Sequence, residues 1–305
     1  MQKPTRNALP HSHTPSHWFP YLALLLGVLS MGMSAIFVKW ANVPGAVNGF
    51  YRMIIAAAIF AVPFGVQAKK QMPLSMRHVW LAVIGGLFFA GDLALWNQSI
   101  LITSAANATL LGNSSVLWVS IGAMIFFKER LRPAFWGGLL LALFGIAIVF
   151  GQDFITHPAL GVGDLMSIGA GVFYGGFFLV AERARDQLSS FVAWWISSAA
   201  SAVGLLIICL AFGMPLWGFS TQAWWSIIGL ALVTQVIGLL SVNYALGHLP
   251  ASIVSPSLLG QPVITAILAV PLLSQSLSAV QIIGGVLTIG GILIVHWSKQ
   301  SSVNK

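Results

Sequence analysis

Charged side chains are what this sequence has least of. Asp, Glu, Lys and Arg make up 7% of 305 residues, six acidic against 14 basic. A soluble domain carries about 25%. A soluble globule of this length could not cover its surface with so few charges, whereas lipid asks for none. A lone cysteine, Cys209, excludes an internal disulfide and leaves the redox compartment open. No Walker loop, no Rossmann glycine pattern after a strand and no HExxH occurs. No cofactor is therefore expected, and primary pumping would need a partner subunit. The net charge of +8 raises nucleic-acid binding as a reading. The basic residues are instead scattered over short inter-helix segments, as on the cytoplasmic face of a membrane protein, so no nucleic-acid partner is expected.

What is present is hydrophobic sequence, 58% of residues. A membrane span needs about 20 mainly apolar residues. Ten such stretches are readable: 18–40, 45–67, 78–100, 105–127, 133–150, 162–183, 191–212, 223–246, 251–273 and 279–297. The first is too long for a secretory signal and lacks the short basic lead-in of one. Turn residues separate them, among them Asn42-Val43-Pro44-Gly45, Pro73, Pro133, Pro158, Gly213 with Pro215, and Pro250. With the N-terminus inside, 12 of the 14 basic residues fall on inner segments; Lys39 and Arg52 are the exceptions. Both termini are thus expected to be cytoplasmic, in a multi-pass protein of the cytoplasmic (inner) membrane with lipid as its surroundings.

A shift of 146 residues brings two segments into register. Asn97 meets Asn243, Ala105 meets Ala251, Leu131 meets Leu277, Gly138 meets Gly284, Leu141 meets Leu287, and Gly145-Ile146 meets Gly291-Ile292. Five helices per half is an odd number, so the halves face opposite ways, an inverted repeat with a midplane cavity between them. The expected architecture is an all-α membrane protein of ten transmembrane helices in an inverted 5+5 repeat. A tail, 1–17, precedes a first half, 18–150; a second half, 162–298, is followed by a tail, 299–305.

Certain runs are more specific: Phe50-Tyr51-Arg52-Met53, Asp92-Leu93-Ala94-Leu95-Trp96-Asn97, and Thr103-Ser104-Ala105-Ala106-Asn107-Ala108-Thr109-Leu110-Leu111 with Lys128-Glu129-Arg130-Leu131 beyond it. The second half holds Ala245-Leu246, Pro250-Ala251-Ser252-Ile253-Val254-Ser255-Pro256 and the pairs Gly284-Gly285 and Gly290-Gly291. With these runs, about residues 18–298 resemble the drug/metabolite transporter superfamily in its ten-helix EamA-type branch, and aromatic amino acid exporters within it. The resemblance implies two EamA-like five-helix repeats and export or exchange of amino acids, other metabolites or drugs. Two departures stand out. Gln261 precedes Pro262 where an acidic residue is frequent, and Gln275 stands as the counterpart of Glu129.

Ionisable groups at membrane depth are costly and so are functional candidates by default. Asp92 lies near the middle of the third stretch, a candidate proton carrier or a partner of Arg52 or Lys39. Asp92 and Trp96 share a helix face while Asn97 points about 100° away, and all three are candidates for the substrate cavity. Lys39 and Arg52 either snorkel to the outer interface or attract a substrate carboxylate and gate the outer mouth. Thr109, Asn113 and Ser120 share one face of the fourth stretch. Gln235, Asn243 and Gln261 add polar groups in the second half. Pro256 and Pro262 free backbone carbonyls, which marks the ninth stretch as an irregular cavity-lining helix.

Trp18, Trp40, Trp80, Trp217, Trp224, Trp225 and Trp297 lie near span ends as interface belts. The deeper Trp96, Trp118 and Tyr174 are candidates for an apolar wall or for packing. Gly137-Gly138 with Gly145, and Gly284-Gly285 with Gly291, allow close helix contact. His11, His13 and His17 sit in a Pro/Ser-rich tail, a solvated composition rather than a metal site. The expected function is a secondary transporter moving a small organic substrate by alternating access, with proton coupling open. The rivals are an intramembrane enzyme acting on a lipid and a non-transporting membrane scaffold or sensor. The sequence does not specify an oligomeric state.

Overall fold

The computed structural model describes residues 18–103, 105–156, 161–273 and 278–303. The tail histidines, Gln275 and Pro158 lie outside these residues. Among the described residues the chain is helical throughout. In order the helices are α1 (Phe19–Met31), α2 (Ser34–Ala41), α3 (Gly45–Ile59), α4 (Ala61–Lys70), α5 (Met76–Ile102), α6 (Ala105–Gly112) and α7 (Ser115–Phe126). Then come α8 (Pro133–Thr156), α9 (Val162–Ala184), α10 (Ser190–Ala211) and α11 (Thr221–Gly229). α11 runs on through a π-helical stretch, Leu230–Leu239, into α12 (Leu240–Leu246), followed by α13 (Ala251–Ser257), α14 (Gly260–Leu273) and α15 (Ala279–Val303).

Among the described residues, with α1–α2, α11–α12 and α13–α14 each taken as one, seven helices are long and apolar enough to cross a bilayer, or eight if α3 and α4, bent by 59°, form one span. Ser115–Phe126 and Pro133–Ile148 are shorter apolar helices. The ends follow local chemistry. Ser189 and Ser220 cap α10 and α11, their hydroxyls accepting N–H groups of Val192 at 3.3 Å and Ala223 at 3.2 Å. Pro133 opens α8, where a missing N–H costs nothing. Asn42 ends α2 in the left-handed conformation, φ 46°.

Four of the apolar stretches are interrupted, where only the ninth was expected to be irregular. α3 gives way to α4 at Phe60, because Pro63 offers no N–H to Ile59 and its ring crowds that carbonyl. α1 and α2 part at Gly32, whose carbonyl accepts the Thr265 hydroxyl at 2.5 Å. α6 and α7 part at Asn113, whose amide turns back onto the Thr109 carbonyl at 2.7 Å. α13 and α14 part at Leu258, between Pro256 and Pro262.

α8 and α15 pack backbone to backbone. A Cβ on Gly138 would lie 2.8 Å from the Gly291 carbonyl oxygen, and one on Gly145 would lie 2.6 Å from that of Gly284. Gly137 has open space around it, so it takes no part in this contact. Trp80, Trp217 and Trp297 are well exposed. Trp224 is instead drawn inward by a T-shaped contact with Tyr51 at 4.9 Å. α5 packs on α9 and α10, and α3 on α5, α10 and the π-helical stretch. This leaves a cavity where α1–α2, α6–α7 and α13–α14 are all broken.

Candidate functional site

The cavity holds about 680 Å³, its mouth included. Its wall takes Met31 and Ser34 from the first break, Thr109, Gly112, Asn113, Ser115 and Val116 from the second, and Ser255, Leu258, Gln261 and Pro262 from the third. Arg52 of α3, Phe89, Asp92, Leu93 and Trp96 of α5 and Tyr174 of α9 complete it. Breaks of this kind expose backbone polar groups, which a bilayer tolerates only where they line a cavity or meet a polar partner.

Arg52 is almost wholly buried, 2% exposed. Its Nε donates to Gln235 Oε1 at 3.1 Å, its Nη1 reaches the Ser34 hydroxyl at 3.5 Å, and its guanidinium carbon lies 5.8 Å from the Phe89 ring centroid. Asp92 faces the same cavity, 8% exposed. Among the described residues the two form no ion pair with each other, and no side chain hydrogen-bonds to Asp92. The cavity therefore contains a guanidinium and a carboxyl group that do not pair directly.

Tyr174 is held by its ring. Phe178 meets it edge-on at 4.8 Å, and Phe89 and Phe177 stack at 5.9 and 6.1 Å. Its buried hydroxyl has no hydrogen-bond partner among the described residues. Trp96 lies against Gly112, where a Cβ would come 3.1 Å from the indole. Cation, carboxylate, hydroxyl and aromatic walls together suit a small ligand with a flat apolar part and charged ends.

Of the residues picked out in the sequence, Arg52, Asp92, Trp96, Thr109, Asn113, Tyr174, Gln261 and Pro262 line the cavity. Six do not. Asn97 points away and ties α5 to the start of α3, its Nδ2 donating to the Gly45 carbonyl at 3.1 Å. Asn243 bonds back to the Leu239 carbonyl of its own helix at 2.9 Å. Trp118 is turned outward, 42% exposed. Lys39 is exposed at the end of α2. Pro256 is buried inside α13, ahead of the break at Leu258, and does not reach the cavity. Gln235 is buried behind the wall and touches Arg52 instead. The lining residues that sequence reading missed include Ser34, Ser115 and Ser255; a serine next to a helix break was the signal that could have found them.

Comparison with known proteins places these features in context. The model of the "EamA-like transporter family" matches residues 18–151 and 161–297. A protein of Clostridium kluyveri described as an uncharacterized transporter is 22% identical over 295 residues, 93% of this chain and 94% of that one. A probable terminal-alkyne amino-acid exporter of Streptantibioticus cattleyicolor is 23% identical over 79% of this chain and 80% of its own length. A solved crystal structure with 18% identity superposes with a TM-score of 0.77, covering 93% of this chain and 99% of that one, a likeness of fold.

Proposed function

We propose, from the premise that this chain belongs to the EamA-like transporter family, that it is a secondary transporter exporting amino acids or related small metabolites across the cytoplasmic membrane by alternating access. The observation that carries the reading is the cavity in which Arg52 and Asp92 face a common space without pairing. Desolvated charges are expensive in a membrane protein and are retained for function. A zwitterion placed between them would satisfy both, its carboxylate on Arg52 and its ammonium on Asp92, with Trp96, Phe89 and Tyr174 against its side chain. The relative described as a probable amino-acid exporter supports the same substrate class.

The proposed framework is ten spans in two inverted five-helix halves, 18–150 and 162–298, with both termini in the cytoplasm. The α8–α15 contact supports the two-fold relation. Moving each residue of the Gly138–Gly291 contact to its partner in the other half, by 146 positions, gives Gly284 and Gly145, which also touch. The distribution of Lys and Arg supports the orientation. Asp92 is the proposed carrier of any coupling proton.

Counterflow of radiolabelled amino acids into proteoliposomes loaded with a panel including Trp, Phe, Thr and several neutral amino acids tests the reading. Protein-dependent uptake of a panel member supports it. Folded, reconstituted protein that takes up no member removes amino acids as the substrate class.

A further inference from the structure

Gln235 does not line the cavity, yet it is completely buried and makes two hydrogen bonds in opposite directions. Its Oε1 accepts from Arg52 Nε at 3.1 Å, and its Nε2 donates to the Ser198 hydroxyl of α10 at 3.3 Å. Arginine is donor-only, so the amide oxygen must face it, and Ser198 holds the other end of the amide in that orientation. The residue sits within the π-helical stretch Leu230–Leu239. Such wide turns are uncommon and frequent at functional sites, because they change which way a side chain leaves the helix. Its neighbour Thr234 turns back onto the Leu230 carbonyl of its own helix at 2.6 Å.

We infer that Gln235 is a positioning residue that fixes the Nε side of Arg52 and presents the guanidinium's remaining N–H groups to a carboxylate in the cavity, and that its neutrality is what keeps Arg52 available. The inference rests on the proposed role of Arg52 as the carboxylate anchor. A guanidinium has five N–H donors; Gln235 takes one and Ser34 a second, leaving three. Two of those can form the paired contact that carboxylates favour. A free arginine at this site would have to lose side-chain freedom on binding each ligand, so an orientation fixed in advance strengthens binding. A glutamate in place of Gln235 would keep the geometry but hold Arg52 as its own ion partner. Glutamine is thus the residue type that orients the cation and leaves its charge uncancelled.

The test uses phenylacetate and its neutral counterpart phenylacetamide as probes, with thermal unfolding of the purified full-length protein as the readout. A ligand that binds the folded state raises the melting temperature with its concentration. Expected for the wild type is stabilisation by phenylacetate and none by the amide, and for Arg52→Met loss of that response. Gln235→Glu should match or exceed the wild-type melting temperature without ligand, yet bind phenylacetate about tenfold or more weakly. Gln235→Ala should weaken phenylacetate as well. A wild-type response to phenylacetate in both Gln235 variants, with Arg52→Met unresponsive, would overturn the role of Gln235 and leave Arg52 as anchor. A wild type that phenylacetate does not stabilise would overturn the anchor role and this inference with it, while transport itself is judged separately by counterflow.

Discussion

The carboxylate of Glu182, near the end of α9, accepts the backbone N–H of Ala251, the first residue of α13, at 3.0 Å. Beside it the Ser252 hydroxyl donates to Glu129 at 2.6 Å. Pro250, at the N-cap of α13, has no side-chain acceptor, so the Glu182 carboxylate takes the first orphan N–H of this helix in its place. One turn further along, Ser255 reaches the cavity wall. Glu182→Ala is expected to lower the stability of the detergent-solubilised protein by about 1.5–3 kcal/mol, the range for a hydrogen bond to a charged group. Glu182→Gln, which keeps an acceptor oxygen, should cost less. Thermal unfolding of the two variants side by side decides it; equal losses would mean that the acceptor does not matter.

Tyr174 gives a prediction with opposite signs for stability and function. Its hydroxyl is buried with no hydrogen-bond partner among the described residues, an arrangement that costs about 1–3 kcal/mol. Tyr174→Phe should therefore be as stable as the wild type or more so. If the hydroxyl serves the substrate, the same variant should show a raised KM in counterflow.

The glycines of α15 should respond unequally to an added methyl. A Cβ on Gly291 would lie 2.5 Å from the Gly138 carbonyl oxygen and 2.8 Å from Ala142 Cα, both backbone atoms that cannot swing aside. Gly291→Ala is expected to cost about 1–3 kcal/mol, as overpacking does. Nothing lies within 4 Å of a Cβ on Gly290, so Gly290→Ala should be neutral or slightly stabilising. Melting temperatures of the pair provide the check.

Among the aromatics, Trp96 lines the cavity and Trp118 does not. Trp118→Leu should leave counterflow within about twofold of wild type, as substitutions outside a site do. Trp96→Leu should reduce uptake at low substrate concentration by about tenfold, the loss expected when an aromatic wall is removed. Initial rates measured across substrate concentrations distinguish the two.

Asp92→Asn keeps size and hydrogen bonding while removing the charge. It should abolish acceleration of uptake by an imposed pH gradient while leaving measurable exchange at equal pH. Gradient-driven uptake that survives in the variant would remove Asp92 as the coupling group.

The sequence by itself determined the membrane class, the approximate limits of the apolar stretches and the glycines through which α8 and α15 meet, because hydrophobic length and small-residue spacing are local properties. It also placed Asp92 and Trp96 on a common face and turned Asn97 from it, since a helix repeats every 3.6 residues. It identified eight of the lining residues, yet it grouped Asn97, Gln235, Asn243 and Trp118 with them. Periodicity defines the faces of a helix but not which neighbour each face meets, nor how the helix is rotated in the bundle. The breaks at Gly32 and Asn113 were equally hidden, since the first is stabilised by Thr265, 233 residues away. Only the tertiary structure decided that three interruptions converge on one cavity, and that Gln235 stands behind Arg52 rather than beside it. Those relations depend on contacts between segments far apart in the chain, which local composition does not encode.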